Sequence, residues 1–170
     1  MAGLADQYAY ADEPAQHGPC LYAHVGARGK QRQWSGRCTQ RYRHASDGII
    51  GNDDRGQMSA RFVSSAPSLY PVDPVEAGHV FGSPLFERAT VRVGESHTET
   101  IKAPRNSART PYLTAVRRTG RPWTRSWISH DVLIRGVTPV FTTPTAPNRR
   151  FGADRSPSFG GPAPTHGVFA

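Results

Sequence analysis

The sequence predicts an α+β fold: helical segments over residues 1–70, a small antiparallel β segment over 71–142 and a disordered tail over 143–170. Turn clusters separate short helical segments in the first part. Apolar-polar alternation replaces them in the second, and Pro, Gly, Ser and Thr dominate the third. A chain of 170 residues suits one domain, and no internal repeat suggests an array. Only 36% of the residues are hydrophobic, while 17 glycines and 15 prolines leave little apolar surface to offset chain entropy; marginal folding is expected.

Three segments could be helical: HGPCLYAHVGA at 17–27, KQRQWSGRCTQRY at 30–42 and GQMSARFVSSA at 56–66. The middle one is a poor helix, because Gly36 interrupts it and it has almost no apolar face to bury. In GNDDRGQMSARF (51–62), Asn52, Asp53 and Asp54 precede an apolar segment, which is how an ordinary helix start reads. LFERATVRV (85–93) alternates through Phe86, Ala89, Val91 and Val93, and HTETIKA (97–103) follows the turn at Gly94. PYLTAV (111–116), DVLIRG (131–136) and TPVFTT (138–143) continue as strands, with Pro139 demoting the last to an edge or broken strand. SPLF (83–86) reads as a strand entry with apolar anchors.

The net charge is +8, carried mainly by arginine. Basic residues are scattered from Arg28 to Arg155 with no RNA-binding motif beside them, so no nucleic-acid partner is expected. Two cysteines, Cys20 and Cys38, exclude a cysteine-built zinc site. The amino terminus, MAGLADQYAYADEP, is acidic where a secretory signal is basic and apolar, and no run spans a membrane, so a cytoplasmic location is expected. His79, His97 and His130 read as structural histidines, and Trp123 and Trp127 as packing residues.

Five stretches occur in one order: YADEPAQHGPCLY (10–22), DGIIGNDDRGQMSARFVSSAPSLYPVDP (47–74), HVFGSPLFERATV (79–91), TIKAPRNSARTPYL (100–113) and RPWTRSWISHDVLIRG (121–136). That series resembles the carboxy-terminal end of glycoside hydrolase family 92, the calcium-dependent exo-acting α-mannosidases, from about Tyr8 to Gly152. The resemblance implies that residues 1–70 are the last helices of an (α/α)6 barrel and that the chain is a fragment of a several-fold longer enzyme. Full-length members are often secreted or periplasmic.

The implied reaction is inverting hydrolysis of a terminal α-mannoside, which pairs a carboxylic acid with a carboxylate base roughly 6.5–9.5 Å apart. By position in the resemblance, Asp54 is the base and Asp53 supports it. Glu13 and His17 contact the sugar, and Asp12 and Asn52 sit among the calcium ligands, hard oxygens that suit this ion. Asp12 replaces the family's usual asparagine, and Gln16 one of two histidines. The general acid lies further upstream in the family and has no counterpart here.

The departures from the pattern are of one kind. Arg61 stands where the family has a buried tryptophan, and a charge there costs several kcal/mol unless it reaches water. Pro67 falls within the expected helix, Arg118 and Pro139 replace leucines, and Cys20 replaces a tyrosine. The reading that follows is a decayed, inactive fragment whose substrate class is a mannose-terminated glycan. The alternatives are one piece of a split α-mannosidase that needs the missing barrel portion, or a basic polyanion-binding protein.

Overall fold

The computed structural model describes residues 4, 5, 8–25, 27–73, 77–93, 97–107, 109, 110, 112–136, 138–146, 148 and 151. Two short strands, β1 (Leu4–Ala5) and β2 (Tyr8–Ala9), open the chain. A 3-10 turn at Glu13–Ala15 follows, then helices α1 (Gly18–Leu21) and α2 (Arg28–Thr39), a second 3-10 turn at Asp54–Gly56 and helix α3 (Gln57–Ser65). Strands β3 (Leu69–Asp73) and β4 (Gly78–Phe81) pair with β9 (Trp127–Ser129) in a three-stranded sheet, order β3-β4-β9. A five-stranded sheet runs β5-β6-β10-β7-β8, built from β5 (Arg88–Val93), β6 (His97–Lys102), β7 (Ala115–Arg118), β8 (Arg121–Trp123) and β10 (Pro139–Thr142). Helix α4 (His130–Leu133) directly follows β9.

The main core joins the two larger sheets. Leu69, Phe81 and Ile128 from one meet Ile101, Val116 and Phe141 from the other, and Leu113, Leu133 and Phe151 belong to the same cluster. Phe81 and Phe141 pack edge to face, ring centroids 5.4 Å apart. Burying such a ring contributes roughly 1.5–3 kcal/mol, and the edge-on contact adds a smaller increment.

The mixed helix and strand content agrees with the α+β expectation, but the β region is not wholly antiparallel. β10 runs parallel to β6, through Val140 opposite Lys102, and antiparallel to β7. Pro139 is buried, and its strand lies inside the sheet rather than at an edge. As the first residue of β10 it occupies a strand position where the missing N–H is tolerated. Residues 131–136, expected as a strand, begin as α4 instead; the strand precedes them, at Trp127–Ser129. SPLF does not anchor: Leu85 and Phe86 are 40% and 53% exposed. Of the tail expected to be disordered, 152–170 lie outside the described residues, while Thr143 and Phe151 are buried.

Helix α2 forms over the segment that reads as a poor helix. It is held by specific contacts in place of an apolar stripe. Gln31 donates from Nε2 to the Phe81 carbonyl at 3.1 Å, the buried Arg32 guanidinium lies over the Phe151 ring, and Cys38 packs with Tyr10 and Met58. Helix α3 starts under the control of Asp53. Its Oδ1 accepts the Ser59 N–H at 2.9 Å and its Oδ2 accepts the Ser59 hydroxyl. The first satisfies a backbone N–H left open in the first turn of the helix, and the second ties the Ser59 side chain to the same carboxylate.

Arg61, on α3, does not reach water: it is 3% exposed. Its guanidinium lies over the Tyr70 ring at 4.2 Å and the Tyr10 ring at 5.4 Å, and its Nε donates to the Tyr10 hydroxyl at 3.1 Å. Tyr10 in turn meets the Tyr42 hydroxyl at 3.1 Å, and Tyr42 donates to the Met58 carbonyl. Burial raises the Cys20 thiol to about 11 and the Cys38 thiol to about 12, and raises Tyr10 and Tyr70 as well. The cage is therefore neutral at pH 7, and aromatic faces stand in for a counter-ion. One guanidinium nitrogen, Nη1, is buried without a hydrogen-bond partner.

Three outcomes follow from this packing. Arg61→Ala should lower the unfolding free energy by about 3 kcal/mol, whereas Arg61→Met, which keeps the stem and removes the uncompensated charge, should lie within about 1 kcal/mol of the parent or above it in urea melts. Stability should be full below the ordinary thiol value of 9.0 and fall as pH rises toward 11, because the buried thiols hold protons that the unfolded chain releases. A Cys20→Ala/Cys38→Ala variant should show a flatter melting-temperature profile over that interval. The Ser59 hydroxyl and N–H hold Asp53 below the usual carboxylate range, so its stabilisation is present above the ordinary 3.8 and lost as pH falls through the lower folded value. Asp53→Asn should lower the melting temperature at pH 7, with the difference closing in acid.

Candidate functional site

Two segments about forty residues apart in the chain form one open cleft of 520 Å³, lined by Ala9, Ala11, Asp12, Glu13 and Pro14 on one side and Gly51, Asn52 and Asp54 on the other. This volume falls in the range of small-molecule sites. Two features of the chain bring the segments together. Gly51 has φ +77, and a Cβ there would stand 2.8 Å from the Ala11 Cβ and 3.1 Å from its carbonyl oxygen. A glycine is required by both conformation and space. Further on, Arg55 occupies the left-handed region at φ 56, a position that costs a non-glycine residue and redirects the chain from Asp54 into α3. Tyr10, between the lining residues Ala9 and Ala11, is buried against Arg61, so the caged cation braces the back of this wall.

Of the residues singled out from sequence, Asp12, Glu13, Asn52 and Asp54 meet at the cleft. Asp12, Asn52 and Asp54 are exposed there. Glu13 is half-buried, and its Oε1 is buried with no hydrogen-bond partner. A buried carboxylate oxygen left open in a polar cleft favours occupancy by a donor from elsewhere. Asp53 is turned to Ser59 and is not among the lining residues. His17 is exposed at the start of α1, outside the lining set. Sequence reasoning missed Gly51 and Ala11; the glycine before Asn-Asp-Asp was the available signal, but only the fold shows what it touches.

The donor chemistry of Asp12, Glu13 and Asn52 suits a hard cation, yet among the described residues no group of three or more His, Cys, Asp or Glu is close enough to hold a metal ion. Calcium takes six to eight oxygens. These residues by themselves do not fit the ion. Elsewhere, His79 Nε2 and His130 Nδ1 approach to 3.4 Å, and burial together with His130 lowers His79. Trp123 packs against the main core and Trp127 against the Cys20, Ala23 and Val80 cluster, as packing residues would. Among the described residues no helix is long and apolar enough to cross a membrane.

The profile of the glycosyl hydrolase family 92 catalytic domain matches residues 1–144. The family GH92 α-mannosidase BT3965 of Bacteroides thetaiotaomicron superposes with a TM-score of 0.87 at 27% identity, over 93% of this chain and 22% of that one. Its complex with mannoimidazole gives 0.84 at 29% identity, over 88% of this chain and 20% of that one. The inverting mannosidase BT2199 of the same organism gives 0.81 at 32% identity, over 87% of this chain and 20% of that one. A secreted glycosidase of Arthroderma benhamiae is 23% identical over 134 residues, 77% of this chain and 16% of its own length. The chain thus spans about a fifth of the relatives it matches. A profile match over most of the chain, a shared fold and a polar cleft at the resembling motifs establish that the chain belongs to glycosyl hydrolase family 92.

Proposed function

We propose that this chain forms one wall of a mannoside-binding cleft in an α-mannosidase of the inverting type. The observation that carries the reading is the convergence of Asp12, Glu13, Asn52 and Asp54 on one cleft from two separate segments. In this reading α1–α3 are the last helices of the barrel, and Asp54, exposed at the cleft rim, serves as the carboxylate that deprotonates water. Asp53 acts on Asp54 indirectly by fixing the turn through Ser59. The Oε1 of Glu13, open and buried, accepts a sugar hydroxyl, and Asp12 and Asn52 offer their oxygens beside it, with His17 at the periphery.

Inversion requires a second carboxyl group on the opposite side of the sugar. In this reading that group comes from outside the cleft residues described above, and the chain alone is inactive. Calcium, where the whole enzyme uses it, needs ligands beyond those described here. The other wall is the remainder of the barrel, on the same or another polypeptide. The exposed Val63 on α3 and Val25 after α1 suit burial against it. A secreted relative favours an extracytoplasmic place of action over the cytoplasmic one expected from the amino terminus.

The purified chain should release nothing from an aryl α-mannoside, with calcium or with chelator; any calcium-dependent turnover would refute the inactive reading. Millimolar mannoimidazole should perturb the backbone amide resonances of Asp12, Glu13, Asn52 and Asp54. Undisturbed resonances there would reject the cleft as a sugar site.

A further inference from the structure

The fold pairs two histidines that are 51 positions apart in the chain and that the mannoside cleft does not use. Strand pairing brings them together. β4 and β9 run antiparallel, with Gly78 opposite Ser129 and His79 opposite Ile128. His130, the first residue of α4, falls just beyond this ladder, diagonal to His79. Alternation along β4 puts His79 on the face of Phe81, and register puts Ile128 opposite it, so the pair stands where the main core meets solvent. His79 is half-buried and His130 exposed. The His130 backbone N–H donates to the Ala77 carbonyl at 2.8 Å, and the Ile134 N–H donates to the His130 carbonyl at 2.9 Å. Hydrogen-bonded backbone thus fixes both residues.

His79 Nε2 lies 3.4 Å from His130 Nδ1. That is long for a hydrogen bond, whose donor and acceptor usually stand about 2.7–3.2 Å apart. It meets a different requirement. Zinc bonds imidazole nitrogen at about 2.0–2.1 Å with tetrahedral angles, which sets two ligand nitrogens on one ion roughly 3.3–3.4 Å apart. The ring centroids are 5.6 Å apart and the planes 30° from parallel, so the two nitrogens lie between the rings and neither ring stacks on the other. Burial and the neighbouring His130 lower His79, which keeps its ring neutral at pH 7 with a lone pair to give. His79 Nδ1 is buried with no hydrogen-bond partner, which leaves the Nε2 edge as the one that can take a ligand.

We propose that His79 Nε2 and His130 Nδ1 form a two-histidine chelate for a borderline divalent cation of the zinc type. Among the described residues no group of three or more His, Cys, Asp or Glu could hold a metal, so water fills the remaining positions. Each ring gives the lone pair of its facing nitrogen and keeps its proton on the far one, Nδ1 of His79 and Nε2 of His130. Imidazole suits zinc, nickel and copper, whereas calcium and magnesium take oxygen ligands. The ion ties β4 to the start of α4 and stabilises the fold, because the two nitrogens converge only where these segments are paired. No cleft residue takes part, so this site and the mannoside reading can fail separately.

The test is a titration of the full chain with zinc chloride, read by isothermal calorimetry and by the imidazole resonances in proton–nitrogen correlation spectra. One zinc should bind per chain and shift both rings together, and millimolar calcium should not displace it. His79→Gln and His130→Gln should each weaken binding by at least about tenfold. The double variant should be scarcely weaker than either, since one imidazole does not chelate. His44→Gln removes an exposed imidazole elsewhere and should leave the affinity at the parent value. Zinc should raise the melting temperature of the parent and of His44→Gln, but not that of His130→Gln, whose exposed position leaves the fold intact. Zinc binding that survives His130→Gln, an equal loss in His44→Gln, or displacement by calcium would overturn the proposal.

Discussion

The helical part of the molecule is organised around one buried cation that has no counter-ion among the described residues. Arg61 reaches from α3 to Tyr70 on β3 and to Tyr10 behind the cleft, and through Tyr10 to Tyr42 and the Met58 carbonyl. Cys20 and Cys38, from α1 and α2, complete its surroundings. An uncompensated charge in an apolar site is expensive, and here the cost is offset by aromatic quadrupoles and by hydrogen bonding to Tyr10. The same residue connects the helices, the first sheet and the back wall of the candidate site. Packing and site geometry therefore depend on the same atoms.

This arrangement explains what could and could not be read from the chain. The helix at 57–65 and the strands at 88–93 and 97–102 were legible because local periodicity marks them, although β5 buries little and Val91 is 37% exposed. Helix α2 was not, because its contacts are long-range: Phe81 and Phe151 lie far from it in sequence. Pro139 misled because the rule against proline in a sheet concerns a missing donor, and the rule relaxes at a strand's first residue. Arg61 misled for a different reason. A burial penalty was legible in the sequence, whereas the rings that answer it come from positions 10 and 70.

At the candidate site the polar chemistry was legible and its grouping was only partly so. Asp12, Glu13, Asn52 and Asp54 converge, but adjacent aspartates part company: Asp53 holds the helix start and Asp54 faces the cleft. Of the two readings of a paired aspartate, the helix start falls to Asp53, and only Asp54 is left facing the cleft. What remains open to the cleft is one carboxylate wall with an unsatisfied Glu13 oxygen, the kind of half-site that a surface completed from elsewhere would close.

The contact of Gly51 with Ala11 sets the scale at which that wall can be damaged. The chain accommodates a guanidinium at position 61, several atoms of charged side chain, because flexible rings and a long stem can arrange themselves around it. At position 51 there is no room for one methyl group, since the opposing atoms include backbone. Tolerance to mutation along this chain is thus unrelated to how drastic a change looks in the genetic code. A cleft of this construction can be lost with every polar residue still in place, through a single added carbon at the seam.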